Sequence, residues 1–192
     1  MTSCGPLELA AVSLRLALGV LLVVSGALKL RDPGGARAVF EALGLGRLAG
    51  PAVAGLIVLE LALGAQVLSG WQATTTLVST TAVFLAFTVV LVVLRREDYD
   101  GGCSCFGGYG GATVGRLQIA RNVVLSSAAG LAAIVSLRGT CVGLSPTEVP
   151  VAAYASAGVL LLAGSTAYVL ISRASSLLVG PEAFSDHSWS DR

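Results

Sequence analysis

Residues 73–94 read ATTTLVSTTAVFLAFTVVLVVL and include no charged residue. The hydrocarbon core of a bilayer is about 30 Å thick, and roughly 20 apolar residues in an α-helix cross it. An α-helix also makes all of its backbone hydrogen bonds within the segment, as a lipid environment requires. This segment therefore predicts a transmembrane helix.

Four further segments have a similar length and apolar character, namely residues 8–29, 50–69, 117–137 and 149–172. Of the 192 residues, 55% are hydrophobic and 12% are charged, and the mean hydropathy is +0.84. Soluble domains usually carry about 25% charged residues. We therefore predict an all-α integral membrane protein with five membrane-spanning helices. The net charge of +1 provides no strongly basic surface, so we expect the lipid bilayer, and no nucleic acid, as a partner.

The distribution of basic residues predicts the orientation, because cytoplasmic loops are enriched in Lys and Arg. With the N-terminus outside, Arg138 is the one basic residue of the outer loops. The basic residues on the cytoplasmic side are then Lys29, Arg31, Arg37, Arg47, Arg95, Arg96, Arg116, Arg173 and Arg192. We predict a multi-pass protein of the plasma membrane, with the N-terminus outside and the C-terminus in the cytoplasm.

The connection between the third and fourth predicted helices contains residues 101–111, GGCSCFGGYGG, in which Cys103 and Cys105 stand among six glycines. A disulfide between these cysteines would close a very small ring, and strained disulfides are exchanged more readily than structural ones. Glycine permits the uncommon backbone dihedral angles that such a ring requires. We therefore predict Cys103 and Cys105 as a catalytic thiol pair on the cytoplasmic side.

Positive charge near a thiol favours the reactive thiolate. Arg116 and Arg121 could provide that charge if the loop folds back onto the start of the fourth helix.

Two other interpretations of the thiol pair stay open. The cysteines are either small loop residues without thiol chemistry, or two ligands of a metal site completed by His187 or by a partner chain. Two cysteines alone make a poor four-coordinate zinc site, so we predict no metal site.

Cys4 and Cys141 fall together on the outer side in this topology, before the first helix and after the fourth. They could form a disulfide, which is either a structural staple or a second redox pair. Two unpaired thiols are the remaining interpretation. A bilayer of about 30 Å would separate this pair from Cys103 and Cys105. Electrons could then pass between the pairs only through a quinone, a partner or a moving helix.

Two charged residues lie deep within the predicted spans, Arg15 in the first and Glu60 at the middle of the second, while Arg121 lies nearer the start of the fourth. An unpaired charge at the bilayer centre costs about 3 kcal/mol or more, so such residues are usually paired. We predict that Arg15 and Glu60 pair across the first two helices. The pair either fixes helix packing alone or lines a polar pocket for a quinone headgroup or a proton path.

The chain resembles the MauE/DoxX family of small membrane proteins, and within it the methylamine-utilisation MauE branch. The motifs that carry the resemblance are Arg15 with Leu18-Gly19, the run from Ser25 to Leu30, Leu59-Glu60-Leu61 with Gly64, Cys103-Ser104-Cys105-Phe106-Gly107, and Arg121-Asn122. The resemblance implies a four-helix transmembrane bundle like that of vitamin K epoxide reductase, over residues 1–137. We expect an additional transmembrane helix in residues 138–172 and a polar tail in residues 173–192.

The resemblance further implies thiol redox chemistry and support of methylamine dehydrogenase maturation, in which a thioredoxin-like partner helps to form the enzyme's disulfides. Our leading hypothesis is therefore a thiol-disulfide redox protein in which Cys103 and Cys105 exchange electrons with such a partner. The alternative is a non-enzymatic membrane scaffold or assembly subunit with dispensable cysteines. A small-solute transporter is a third hypothesis, which the small number of intramembrane charges disfavours.

Overall fold

The structure is a computed structural model that describes residues 5–97, 116–138 and 141–178. All regular secondary structure in these ranges is helical. The α-helices are α1 (Pro6–Arg31), α2 (Gly34–Ala42), α3 (Ala49–Ser69), α4 (Ala73–Arg96), α5 (Arg116–Ser136) and α6 (Val151–Leu178). Two short 3₁₀ turns, Gly46–Leu48 and Cys141–Gly143, precede α3 and α6.

Four helical segments of the described ranges are long and apolar enough to cross a membrane, and they confirm the first four predicted spans. The segments are Pro6–Arg31, Gly46–Ser69, Ala73–Arg96 and Arg116–Ser136. The apolar part of α6 found among the described residues, Val151–Ala167, is shorter. A fifth crossing therefore stays a prediction, as do the polar tail and the likeness to vitamin K epoxide reductase.

Two helix boundaries follow directly from local sequence. Pro6 stands in the first turn of α1, where its missing N–H costs no hydrogen bond, and the Glu8 carboxylate accepts a hydrogen bond from the Gly5 N–H at 3.1 Å. The second boundary is the end of α3 at Ser69. The next residue, Gly70, has a φ of +75°, the left-handed conformation that glycine adopts readily. The chain turns there and enters α4 three residues later.

Helices α1 and α3 are antiparallel and pack at very short range. A Cβ atom built on Gly64 would lie 3.0 Å from the Val23 nitrogen and 3.1 Å from the Gly19 carbonyl oxygen. A Cβ atom built on Gly26 would lie 3.4 Å from the Glu60 Cβ. Glycine lets two membrane helices approach this closely because no side chain separates their backbones. These contacts fix the register of the two helices.

Helices α4 and α5 form a second antiparallel pair, joined by a hydrogen bond of 2.8 Å between Thr74 and Ser136. Helix α6 packs beside α1, and Ser13 and Ser156 are hydrogen-bonded at 2.6 Å. The main apolar core, which includes Leu18, Leu22, Leu77 and Phe84, lies between α1 and the other spanning helices.

The two ends of the bundle are formed by different helix termini and are named here the Lys29 end and the Cys141 end. The Lys29 end holds the last residues of α1 and α4 and the first residues of α3 and α5. The Cys141 end holds the first residues of α1, α4 and α6 and the last residues of α3 and α5. The amphipathic helix α2, which the sequence did not predict, packs at the Lys29 end with Ala36 against Val53 and Ile57.

Candidate functional site

A buried ion pair lies between α1 and α3 near the Lys29 end. The Lys29 ammonium lies 2.8 Å from Oε1 and 2.9 Å from Oε2 of Glu60. The two side chains are 3% and 1% exposed. Lys29 reaches this position because it lies two residues before the end of α1, and Glu60 lies opposite Gly26 in the antiparallel register. The pair neutralises two charges that would otherwise be costly at this depth.

Two neighbours of the ion pair complete its surroundings. Ser25 lies one helical turn before Lys29, and its hydroxyl oxygen accepts a hydrogen bond of 2.6 Å from the ammonium. The same hydroxyl lies within hydrogen-bonding range of Glu60. The Phe87 ring of α4 has its centroid 6.0 Å from the Lys29 nitrogen, at the outer limit of a cation–π contact. The ammonium is thus held by one carboxylate, one hydroxyl and one ring face.

Helix α5 adds two polar residues to the same region. Arg121 lies close enough for its positive charge to act on Lys29. Asn122 is 3% exposed, and its side-chain nitrogen has no hydrogen-bond partner within the described part of the chain. Together with Ser25, Lys29 and Glu60, Asn122 lines a pocket with room for roughly one water molecule. This arrangement can hold a water or a small polar group beside the ion pair.

The predicted ion pair between Arg15 and Glu60 is wrong. Glu60 lies level with Gly26 of α1, which is 11 residues, or about 16 Å of helix, from Arg15. An arginine side chain cannot cover that distance. The prediction placed the centres of the two spans at one level, whereas the glycine contacts set a different register.

Arg15 instead binds the backbone at the Cys141 end. Its Nη1 donates hydrogen bonds to the carbonyl oxygens of Val142 at 2.5 Å and Leu144 at 3.1 Å. The side chain is 0% exposed, and Gly70 packs closely against the guanidinium. Nε and Nη2 of Arg15 have no hydrogen-bond partner within residues 5–97, 116–138 and 141–178. Arg15 therefore connects α1 to the turn that precedes α6.

A family model for the Methylamine utilisation protein MauE matches residues 7–135. The match covers more than half of the chain and contains the Lys29–Glu60 pair, Arg15 and the Cys103-Ser104-Cys105 motif. The chain belongs to the MauE family. This result confirms the resemblance to MauE, while the likeness to DoxX stays a prediction. No curated protein and no solved structure matches the chain.

The structure describes one of the four cysteines of this MauE protein, Cys141. Cys141 is 2% exposed and forms a disulfide bond. Cys103, Cys105 and Cys4 lie outside the described residues, as does His187. Arg116 is exposed at the start of α5, while Arg121 is half-buried beside Lys29. The predicted thiolate-stabilising role of the two arginines stays a prediction.

Lys29 was not predicted as a site residue, since it was considered as a cytoplasmic charge and as part of the run from Ser25 to Leu30. Its position offered a signal, because Ser25 and Lys29 are four residues apart and share one face of α1. Asn122 also offered a signal, because polar side chains within a membrane span usually face the neighbouring helices. No sequence pattern indicated that Arg15 would bind main-chain carbonyls, because any turn offers such acceptors.

Proposed function

We propose that this MauE protein is a membrane thiol-disulfide redox protein, in which Cys103 and Cys105 exchange electrons with a thioredoxin-like partner. Family membership supports a membrane-associated role in methylamine utilisation. In that setting the partner's disulfide serves the maturation of methylamine dehydrogenase or of another disulfide-containing enzyme. We also propose that its transmembrane bundle is like that of vitamin K epoxide reductase.

The observation that carries the proposal is the position of the buried Lys29–Glu60 cluster. The cluster lies inside the bundle, toward the end where α4 ends at Arg96 and α5 begins at Arg116, and Asn122, which lines its pocket, is six residues or about 9 Å of helix after Arg116. The Cys103-Ser104-Cys105 motif belongs to the segment that joins these two helix ends. Ionisable groups buried in a membrane protein commonly mark a functional site. Lys29, Glu60 and Arg121 would thus bring charge to the side of the bundle from which the segment with Cys103 and Cys105 starts and to which it returns.

The proposed reaction follows thiol-disulfide exchange. One thiolate, Cys103 or Cys105, attacks the partner's disulfide and forms a mixed disulfide, and one partner sulfur leaves as a thiolate. The second cysteine attacks the mixed disulfide and releases the partner as a dithiol. Two electrons have then passed to the partner, and Cys103 and Cys105 are joined by a disulfide. The reverse sequence oxidises the partner.

A quinone, a partner or a moving helix would carry the electrons if they pass across the bilayer between the two cysteine pairs. The pocket beside Glu60 has room for roughly one water molecule, so we do not place a quinone headgroup there.

Trapping of a mixed disulfide tests the proposal. Cys105→Ser and Cys103→Ser should each stop exchange, and one of them should accumulate a covalent complex with the thioredoxin-like partner that reductant releases. Ser104→Ala is the matched control, because it changes the same motif without removing a thiol, and it should preserve exchange. The partner's redox state in cells is read from the mass added by thiol alkylation.

The double variant Cys103→Ser/Cys105→Ser separates the two function classes. The redox proposal requires that the partner's redox state shifts in this variant. If the double variant still binds the partner and the partner's redox state is unchanged, the protein acts as a membrane scaffold or assembly subunit with dispensable cysteines.

A further inference from the structure

The small cavity beside the Lys29–Glu60 pair lies where α1, α3, α4 and α5 meet. Its polar lining consists of Ser25, Lys29, Glu60 and Asn122. The cavity has room for roughly one water molecule, and a water inside a protein is held when about two to four polar groups bind it. The hydrogen-bonding capacity of this lining therefore decides whether the cavity is wet or dry.

The ion pair has acceptor capacity to spare on its carboxylate, whereas the donors of its ammonium are engaged. The N–H groups of Lys29 meet Oε1 of Glu60 at 2.8 Å, Oε2 of Glu60 at 2.9 Å and the Ser25 hydroxyl oxygen at 2.6 Å. Each oxygen of a carboxylate can accept more than one hydrogen bond. A donor that enters the cavity therefore finds an acceptor on Glu60.

Asn122 brings a donor to the cavity from the opposite wall. It belongs to the buried face of α5, on which Gln118, Asn122 and Ser126 follow one another at intervals of one helical turn. Its side chain is 3% exposed, and Nδ2 has no hydrogen-bond partner within the described part of the chain. A buried donor without a partner costs free energy. A group that fills the cavity and accepts a hydrogen bond from Nδ2 would remove that cost.

We infer that the cavity binds one ordered water molecule, which accepts a hydrogen bond from Asn122 Nδ2 and donates one to the Glu60 carboxylate. Water has the required size, and it acts as donor and acceptor at once. The Phe84 and Phe87 rings of α4 give the cavity an apolar wall, so they do not compete for these hydrogen bonds. The water joins α5 to the ion pair between α1 and α3. This inference does not require thiol exchange at Cys103 and Cys105.

The water can be detected at a single site, because Asn122 is the only asparagine among the 192 residues. The full-length protein is prepared with asparagine that carries a heavy nitrogen isotope in its side-chain amide, and it is placed in phospholipid nanodiscs. NMR cross-relaxation from water to the Asn122 amide protons should be observed, with opposite sign in the laboratory and rotating frames. That sign pattern distinguishes a bound water from proton exchange with bulk solvent.

Three results in the parent protein would overturn the inference. A resolved amide signal that receives no magnetisation from water would show that the cavity is dry. Transfer of the same sign in both frames would show an amide that exchanges with bulk solvent. A short dipolar distance between Asn122 Nδ2 and the Glu60 carboxyl carbon, without water transfer, would show that Asn122 binds the carboxylate directly.

Two double variants test Glu60 as the acceptor. Lys29→Met/Glu60→Gln and Lys29→Met/Glu60→Met both remove the two charges of the ion pair, and only the first keeps an oxygen acceptor at position 60. The water signal of Asn122 should persist in the first variant and fall by about fivefold or more in the second, because the water then loses a polar partner. Equal water signals in the two variants would overturn the assignment of Glu60 as the acceptor.

Ser126→Ala is the matched control on α5. Ser126 lies one turn after Asn122 on the same buried face, its hydroxyl also has no partner within the described ranges, and it is not among the described residues that line the cavity. The water signal should be unchanged in Ser126→Ala, and its loss would contradict the proposed position of the water. If the double variants do not fold, cross-relaxation from the same water to the Glu60 side-chain protons of the parent tests the acceptor. Absence of that transfer would overturn the inference.

Discussion

Lys29 and Glu60 form a buried ion pair that links α1 to α3, with the ammonium 2.8 Å and 2.9 Å from the two carboxylate oxygens. Ser25 accepts a third hydrogen bond from the ammonium. Each charge is therefore compensated directly by the other, and Arg121 of α5 adds a further positive charge close to Lys29. Loss of one member leaves the other charge without its direct partner, whereas loss of both removes this pair of charges from the interior.

Lys29→Met should lower the free energy of unfolding by about 3–5 kcal/mol, the typical cost of leaving one charge of a buried pair unpaired. The double variant Lys29→Met/Glu60→Met should recover most of that loss, because neither charge of the pair remains to be buried. Unfolding by dodecyl sulfate in mixed micelles, followed by circular dichroism, measures both values.

Arg37→Ala is the control for the ion pair, because Arg37 and Glu41 form an exposed pair at 2.8 Å on α2. Exposed pairs typically contribute about 1 kcal/mol or less. Equal losses in Arg37→Ala and Lys29→Met would contradict the prediction, as would a double variant that is less stable than Lys29→Met alone.

The spans could be predicted from the sequence because bilayer thickness sets their length. The predicted segment 50–69 became α3 at Ala49–Ser69, and the predicted segment 73–94 became α4 at Ala73–Arg96. Hydropathy also separated these helices from their polar connections. None of this information depends on how the helices face one another.

The partners of the intramembrane charges could not be predicted in the same way. The connection between α1 and α3 contains α2 and a 3₁₀ turn, so its length does not fix their relative height. The register instead comes from contacts such as Gly19 against Gly64, which single-sequence hydropathy does not reveal. A wrong register exchanged the partners and assigned Arg15, not Lys29, to Glu60.

Gly64→Ala should destabilise the bundle by about 1–3 kcal/mol, the usual cost of overpacking. The added methyl group would meet the Val23 nitrogen and the Gly19 carbonyl oxygen, which belong to a helix backbone and cannot turn aside. Gly55→Ala is the matched control on the same helix, since no atom lies within 4 Å of its Cβ position. It should gain up to about 1 kcal/mol from helix propensity. Unfolding in mixed micelles should therefore show changes of opposite sign, and equal changes would contradict the prediction.

Glu148, in the connection before α6, should titrate at a lower pH than an ordinary glutamate. The Ser145 hydroxyl donates a hydrogen bond of 2.8 Å to its carboxylate, and the Ser145 N–H donates one of 3.1 Å, so both lower the pKa of Glu148. A lowered folded-state pKa stabilises the connection above the unfolded pKa, and this contribution is lost as the pH falls through the folded pKa. Carbon NMR titration of labelled glutamate measures the midpoint. Ser145→Ala should raise it, and an unchanged midpoint would show that the hydroxyl has no effect.

The orientation of the bundle can be tested with cysteines introduced at its two ends, in a Cys103→Ser/Cys105→Ser background. Thr147→Cys reports on the exposed connection at the Cys141 end, and Ala38→Cys reports on the exposed face of α2 at the Lys29 end. Because basic residues concentrate at the Lys29 end, we expect it to face the cytoplasm. A stable disulfide at the Cys141 end fits an oxidising outer compartment. A membrane-impermeant maleimide should therefore label Thr147→Cys on intact cells and Ala38→Cys only after permeabilisation, and the reverse pattern would invert the orientation.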